Sequence, residues 1–198
     1  LVRKENYQKP FKKWRDSNFK NIYLAENTAT GQIGEKFIDE ISISLGFNVD
    51  DDVPYTGEYD AKINNKKIEI KTACLGVNNG YQFNNVRDKY EYDFLLCLGI
   101  APNDILFNVY RHEDVKSREE GIYKLDGCTD SKLPGHMTKF RTESDTLNYK
   151  LTKGPDELRS IEELPLVLSG LGISSLTKNT SNLDIDFQQQ LIELVRKE

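Results

Sequence analysis

Histidine and cysteine are scarce in this chain, with two His and three Cys in 198 residues. Cys74, Cys97 and Cys128 are odd in number and form no C-x-x-C pair, so structural zinc and a disulfide framework are both unsupported. Reduced thiols in a cytoplasmic protein are the simplest reading. No run of about 18 or more apolar residues exists, so no membrane-spanning helix is expected. Leu1–Lys13 is basic and polar without an apolar h-region, which argues against a retained signal peptide. There is no Met at position 1, so a missing true N-terminus is an expectation. No internal repeat of 20 to 50 residues is visible, although Leu-Val-Arg-Lys-Glu stands at both Leu1–Glu5 and Leu194–Glu198. Gly31–Lys36 lacks the spacing of a phosphate-binding loop, so no nucleotide cofactor is expected.

General basicity is missing too. The chain carries 27 Lys and Arg against 32 Asp and Glu, a net charge of -5 with a pI near 5.3, and its mean hydropathy is -0.62. A protein that holds nucleic acid by bulk charge is normally positive. The charge is uneven, however: Leu1–Lys20 has seven basic residues against Glu5 and Asp16. Tyr7, Phe11, Trp14 and Phe19 interleave with those lysines. The segment would either grip a nucleic-acid backbone or dock Trp14 onto the core.

Ten Tyr, nine Phe and many Ile and Leu supply a core, which argues against wholesale disorder. Ile33, Phe37, Ile41 and Leu45 recur every four residues and predict a helix over Gly31–Leu45, closed by Gly46. An extended piece, Phe47–Val53, leads to Pro54. Tyr59–Ile63 and Lys67–Thr72 read as strands joined by Asn64-Asn65, which tolerates the positive φ of a tight hairpin. Asn84–Tyr90 reads as a short helix. Asp93–Ile100 suits a strand buried on both faces, and Ile105–Arg111 is the next strand after a turn at Pro102-Asn103-Asp104. Ser117–His136 is loop-rich, Phe140–Lys153 suits a hairpin or strand, and Leu183–Lys197 suits a closing helix. The order predicts an α/β fold with a mixed central sheet flanked by helices. No linker divides it, so 1–198 is expected to be one domain, with a core at about 31–111, a basic segment 1–30 and a C-terminal part 112–198.

Asp60, Glu69 and Lys71 are the candidate catalytic residues. In Ile68-Glu69-Ile70-Lys71, period 2 sends the two isoleucines to one face and the two charges to the other. A two-residue turn at Asn64-Asn65 puts Asp60 opposite Glu69; a turn at Asn65-Lys66 puts it opposite Lys71; a three-residue loop turns it to the wrong face. Opposed Cβ atoms stand about 5 Å apart, a workable separation for two carboxylates on one divalent ion. Such carboxylates repel unless a cation lies between them. Oxygen donors without His or Cys favour Mg²⁺ or Mn²⁺. The Ile70 carbonyl adds a third oxygen, and Lys71 supplies a positive charge beside an attacking water or a developing phosphorane.

The stretch YDAKINNKKIEIKTA resembles the core of the PD-(D/E)XK nuclease superfamily, with Asp60 as the D and Glu69-Ile70-Lys71 as the E-x-K. The family's proline before the Asp is absent, since Glu58-Tyr59 stands there. YQFNNVRDKYEYDFLLCLGIAPND resembles the region after the motif in type II restriction endonucleases. The resemblance covers roughly Gly31–Arg111. It implies a restriction-endonuclease-like αβββαβ core and Mg²⁺-dependent, site-specific hydrolysis of double-stranded DNA by a homodimer. It also implies that Glu35 helps to bind metal from the first helix. Lys62 and Gln82 are candidate DNA contacts near the site. His136, Lys139 and Arg141 are candidate base readers within Lys132–Tyr149. The rivals are a structure-specific repair nuclease, the nuclease part of a larger restriction or defence protein, and a DNA-binding module of the same fold without catalysis.

Overall fold

The most apolar segment of the chain sits in the middle of its main sheet. In the computed structural model, which describes residues 11–50, 57–87, 89–116, 137–141, 147–174 and 185–197, all seven residues of Phe94–Ile100 are buried. This strand, β4, follows β1 (Ala61–Ile63), β2 (Lys66–Cys74) and β3 (Tyr81–Arg87) and precedes β5 (Ile105–Arg111). The main sheet runs β1-β2-β4-β5-β8, where β8 is Arg159–Ser160. β2 and β4 are parallel and the other neighbours antiparallel, so the sheet is mixed as expected. Val49 bridges Ile63 at the β1 edge.

The predicted first helix is α3, Asn27–Ser44, preceded by α1 (Phe11–Trp14) and α2 (Lys20–Leu24). Its stripe Ile33, Phe37, Ile41 and Leu45 is buried, with Ile38 beside it, and each such side chain contributes about 1.5–3 kcal/mol by leaving water. Gly46 ends the helix at φ +79°, a conformation glycine adopts without a Cβ penalty. α3 lies on β2, and Gly34 is the point of contact: a Cβ there would collide with Thr72 Oγ1 and stand 2.9 Å from Thr72 Cβ. α6 (Phe187–Lys197) covers α3 with buried Phe187, Leu191 and Leu194. Leu183 lies outside the described residues.

A second sheet, β3-β7-β6, packs on the opposite face. It is antiparallel, with β6 at Met137–Arg141 and β7 at Leu147–Lys153. A Cβ on Gly99 would stand 2.9 Å from the Tyr81 ring. Gly99 pairs with Ala73, and alternation along β2 puts Ala73 and Thr72 on opposite faces. The helix layer and the second sheet therefore sandwich the main one. Of the hairpin or strand expected within Phe140–Lys153, the antiparallel pair β6 and β7 is found, beginning at Met137.

One predicted element is corrected. Asn84–Tyr90 is not a helix: Asn84–Arg87 is the end of β3, and a turn follows. Parallel strands need a crossover of a dozen or more residues, usually a helix. Here the β2–β4 crossover, Leu75–Asp93, carries a strand instead. The α/β class with a mixed sheet flanked by helices is unaffected.

The N-terminal segment docks, as one of its two readings held. Trp14 is 1% exposed and stacks on Tyr23 with ring centroids 4.6 Å apart. Phe19 and Ile22 are fully buried, and Ser17 Oγ donates to the Pro102 carbonyl at 2.6 Å. α4 (His112–Lys116) continues β5, and α5 (Leu164–Gly170) buries Leu164 and Leu168. Ser117–His136 and 51–56 lie outside the described residues. Among the described residues no helix is long and apolar enough to cross a membrane.

Candidate active site

The β1–β2 hairpin sets the geometry. Asn64 and Asn65 both adopt positive φ, +46° and +65°, the pair of values a type I′ turn requires. The loop is thus two residues long, and Ile63 pairs with Lys66, Lys62 with Lys67 and Ala61 with Ile68. One step further along the ladder, Asp60 stands opposite Glu69, the first of the open registers. The Asp60 N–H donates to the Ile68 carbonyl at 3.0 Å, which extends the pairing past β1.

Three charged groups meet there. Asp60 Oδ2 accepts the Ile70 N–H at 2.7 Å and lies 3.5 Å from Lys71 Nζ. Lys71 Nζ pairs with Glu69 Oε1 and donates to the Ile70 carbonyl at 3.1 Å. One ammonium thus ties together two carboxylates and a backbone oxygen. Glu69 is 3% exposed, and its Oε2 is buried without a hydrogen-bond partner. Burial pushes the Glu69 carboxyl up to about 7, with Lys71 pulling down and Asp60, close enough to hydrogen-bond it, pushing up again. Burial also disfavours the Lys71 ammonium, but Glu69 and Asp60 together outweigh it, and its pKa is raised.

Glu35 comes from α3. Its carboxyl is raised by burial, then by the charge of Asp60, against a downward pull from Lys71. Gly34, in van der Waals register with Thr72, is what lets the helix approach β2 so closely at this point. Asp39, one turn along α3, also raises Glu35. The sequence reading passed over it, and the Glu35-x-x-x-Asp39 spacing on one helix face was its signal.

The remaining candidates scatter. Lys62 is ion-paired to Asp50 at 2.5 Å. Gln82 is exposed on β3, a strand position rather than a connection. In β6, Lys139 falls opposite Tyr149 and Arg141 opposite Leu147. His136 lies outside the described residues.

The donors fit a hard divalent cation with few protein ligands. Two carboxylates converge on one ammonium, the Ile70 carbonyl is beside them, and Glu69 Oε2 is a buried acceptor with nothing to accept from. Mg²⁺ commonly takes one or two carboxylates and completes its shell with water and substrate phosphate. Among the described residues no three His, Cys, Asp or Glu side chains form a ready-made cage, so Glu35 stands at the margin of the site.

Paired carboxylates on a hairpin, an ammonium bridge and an α/β sandwich together define a protein with a charged site on the edge of a mixed sheet. Neither protein-family models nor curated proteins yield a match to the chain. Among solved structures, a bacterial homing endonuclease, I-Ssp6803I, is similar to it over 47% of this chain and 74% of that one, at 17% identity and a TM-score of 0.37. That similarity is too low for fold or function to be carried across.

Proposed function

We propose that the protein is a metal-dependent nuclease of the PD-(D/E)XK type that hydrolyses phosphodiester bonds in double-stranded DNA, site-specifically and as a homodimer, in the manner of a type II restriction enzyme. The observation that carries the reading is the hairpin register: a two-residue turn sets Asp60 opposite Glu69, with Lys71 between their carboxylates and a partnerless buried oxygen on Glu69. A structural ion pair needs one carboxylate per ammonium. A second carboxylate, in a site that raises the pKa of the first, leaves room for more positive charge.

Asp60, Glu69 and the Ile70 carbonyl would hold Mg²⁺ (or Mn²⁺), with Glu35 reaching it through water. Bound there, the ion supplies a nucleophilic hydroxide near neutral pH and positive charge for the phosphate. The Ile70 N–H fixes the Asp60 carboxylate by its 2.7 Å bond, so the carboxylate needs little reorganisation. Lys71 remains protonated while both carboxylates face it, which suits it to donate to a non-bridging phosphate oxygen as charge develops. Glu69 is itself buried on the sheet, so its attraction to Lys71 is only weakly screened by bulk water.

Plasmid DNA incubated with the protein and Mg²⁺ tests the reading. Discrete fragments support site-specific cleavage; a smear or branch-dependent cutting supports a repair or defence nuclease; binding without cleavage supports a catalytically silent module. Asp60→Ala is expected to lower the cleavage rate by about a thousandfold or more, and cutting by that variant at the wild-type rate removes the assignment.

A further inference from the structure

The second sheet has an unusual charge. β3, β6 and β7 are YQFNNVR, MTKFR and LNYKLTK, and contain five basic residues and no acid. Elsewhere in the chain 22 basic residues face 32 acidic ones. Of these five, Lys153 is buried, and Lys139 and Arg141 pair with Tyr149 and Leu147, which share the parity of buried Leu151, so Arg87 and Lys150 are the basic residues of the outer face.

The alternation of the strands separates two faces. Tyr81, Phe83 and Val86 on β3, with Leu151 and Lys153 on β7, are buried toward the main sheet. Lys153 is consumed there, 1% exposed and paired with Glu157 at 3.2 Å. The outer face presents Gln82, Asn84 and Asn85, all exposed, and Arg87, Lys150 and Thr152, half-buried. Arg87 hydrogen-bonds the Tyr90 hydroxyl and lies over its ring at 4.7 Å. Among the described side chains of this face none is acidic and none is apolar.

A bulge concentrates the amides. The register passes from Phe83 opposite Leu151 directly to Val86 opposite Tyr149, so Asn84 and Asn85 together stand opposite Lys150. Asn85 adopts φ +58°, a conformation Asn tolerates better than most residues. Both amides are thereby turned outward on an edge strand, beside a lysine. Bulges of this kind re-aim side chains near functional sites.

We infer that the outer face of β3–β7 is a docking surface for duplex DNA, on which Gln82, Asn84 and Asn85 read base edges and Lys150 contacts phosphate. Amides pair bidentately with adenine in the major groove, which also admits a two-stranded β-ribbon. The described side chains of the face are polar or basic, which suits a polyanion. The inference rests on the nuclease reading above, and assigns the DNA contacts to this face rather than only to the segment 132–149.

The test uses the full chain without divalent metal. A pool of random-sequence duplexes is selected for binding, and affinity is then measured by fluorescence anisotropy over a range of salt. Gln82→Ala/Asn84→Ala is expected to weaken the selected duplex about ten- to a hundredfold while leaving random duplex within about twofold. Lys150→Ala is expected to weaken all duplexes alike and to reduce the salt slope by about one. Thermal melts of both variants at the wild-type midpoint show that folding is intact. Unchanged affinity in both variants overturns the inference, and so does equal binding of heparin or single-stranded RNA. Duplex binding of the expected kind without cleavage in Mg²⁺ upholds this surface and overturns the nuclease reading alone; cleavage with unchanged selectivity in the double variant does the reverse.

Discussion

Replacing Glu69 by Gln should make the protein more stable at alkaline pH. In the folded chain the Glu69 carboxyl is raised from 4.5 to about 7, chiefly by burial. The folded state therefore keeps a proton that the unfolded state gives up between those values. Stability contributed by this group is full below about pH 4.5, falls as pH rises through the interval and is lost above about 7. At 1.36 kcal/mol per pH unit the penalty above pH 7 reaches roughly 3 kcal/mol. Gln keeps the shape and removes the ionisation, but it also removes the attraction to Lys71. The net gain expected at pH 8 is about 1–2 kcal/mol, shrinking toward zero at pH 5. Urea unfolding at the two pH values in chelator measures it, and the difference between the two proteins cancels the parallel contribution of Glu35. Mg²⁺ should then stabilise the wild type at pH 8 and leave the variant unmoved. A Glu69→Gln protein that is no more stable than wild type at pH 8, with the same slope against pH, refutes the reasoning.

Other expectations are structural. Gly34→Ala places a methyl against Thr72 and should cost about 1–3 kcal/mol; differential scanning calorimetry reads this, and Thr72→Ala in the same chain should recover part of it. Trp14→Ala empties a site that is 1% exposed and breaks the stack on Tyr23, so a loss of about 3–5 kcal/mol in chemical denaturation is expected. A Trp14 variant as stable as wild type would mean that the N-terminal segment is not anchored as described.

The hairpin was legible because its determinants are local. Asn64-Asn65 fixes an even loop, and an even loop leaves only registers in which Asp60 shares the face of Glu69 and Lys71. The α3 stripe and the β4 run were legible because each follows a single period. Asn84–Tyr90 misled because the bulge breaks period 2. Phe83, Val86 and Tyr90 fall three and four apart, the spacing of a helix face, whereas Phe83 and Val86 are both inward only because two asparagines are looped out between them. Lys153 gave no warning, since a lysine in a strand ordinarily points to water. Its burial depends on Glu157, four residues on and past the end of the strand. Glu35 was legible as a charge on the right helix, but its closeness to the site depends on Gly34 meeting Thr72, a contact no local pattern announces.

The crossover strand has a consequence for assembly. β1 and β2 are joined by two residues, whereas β3 and β7 are separated by the 59 residues 88–146. Closing so distant a pairing is slow relative to a hairpin. During vectorial synthesis the ribbon that carries Glu69 and Lys71 would emerge and pair first, and the sheet that lies over it would close only once Lys153 had left the ribosome. A nascent chain would thus hold its charged cluster before it holds the layer that encloses it.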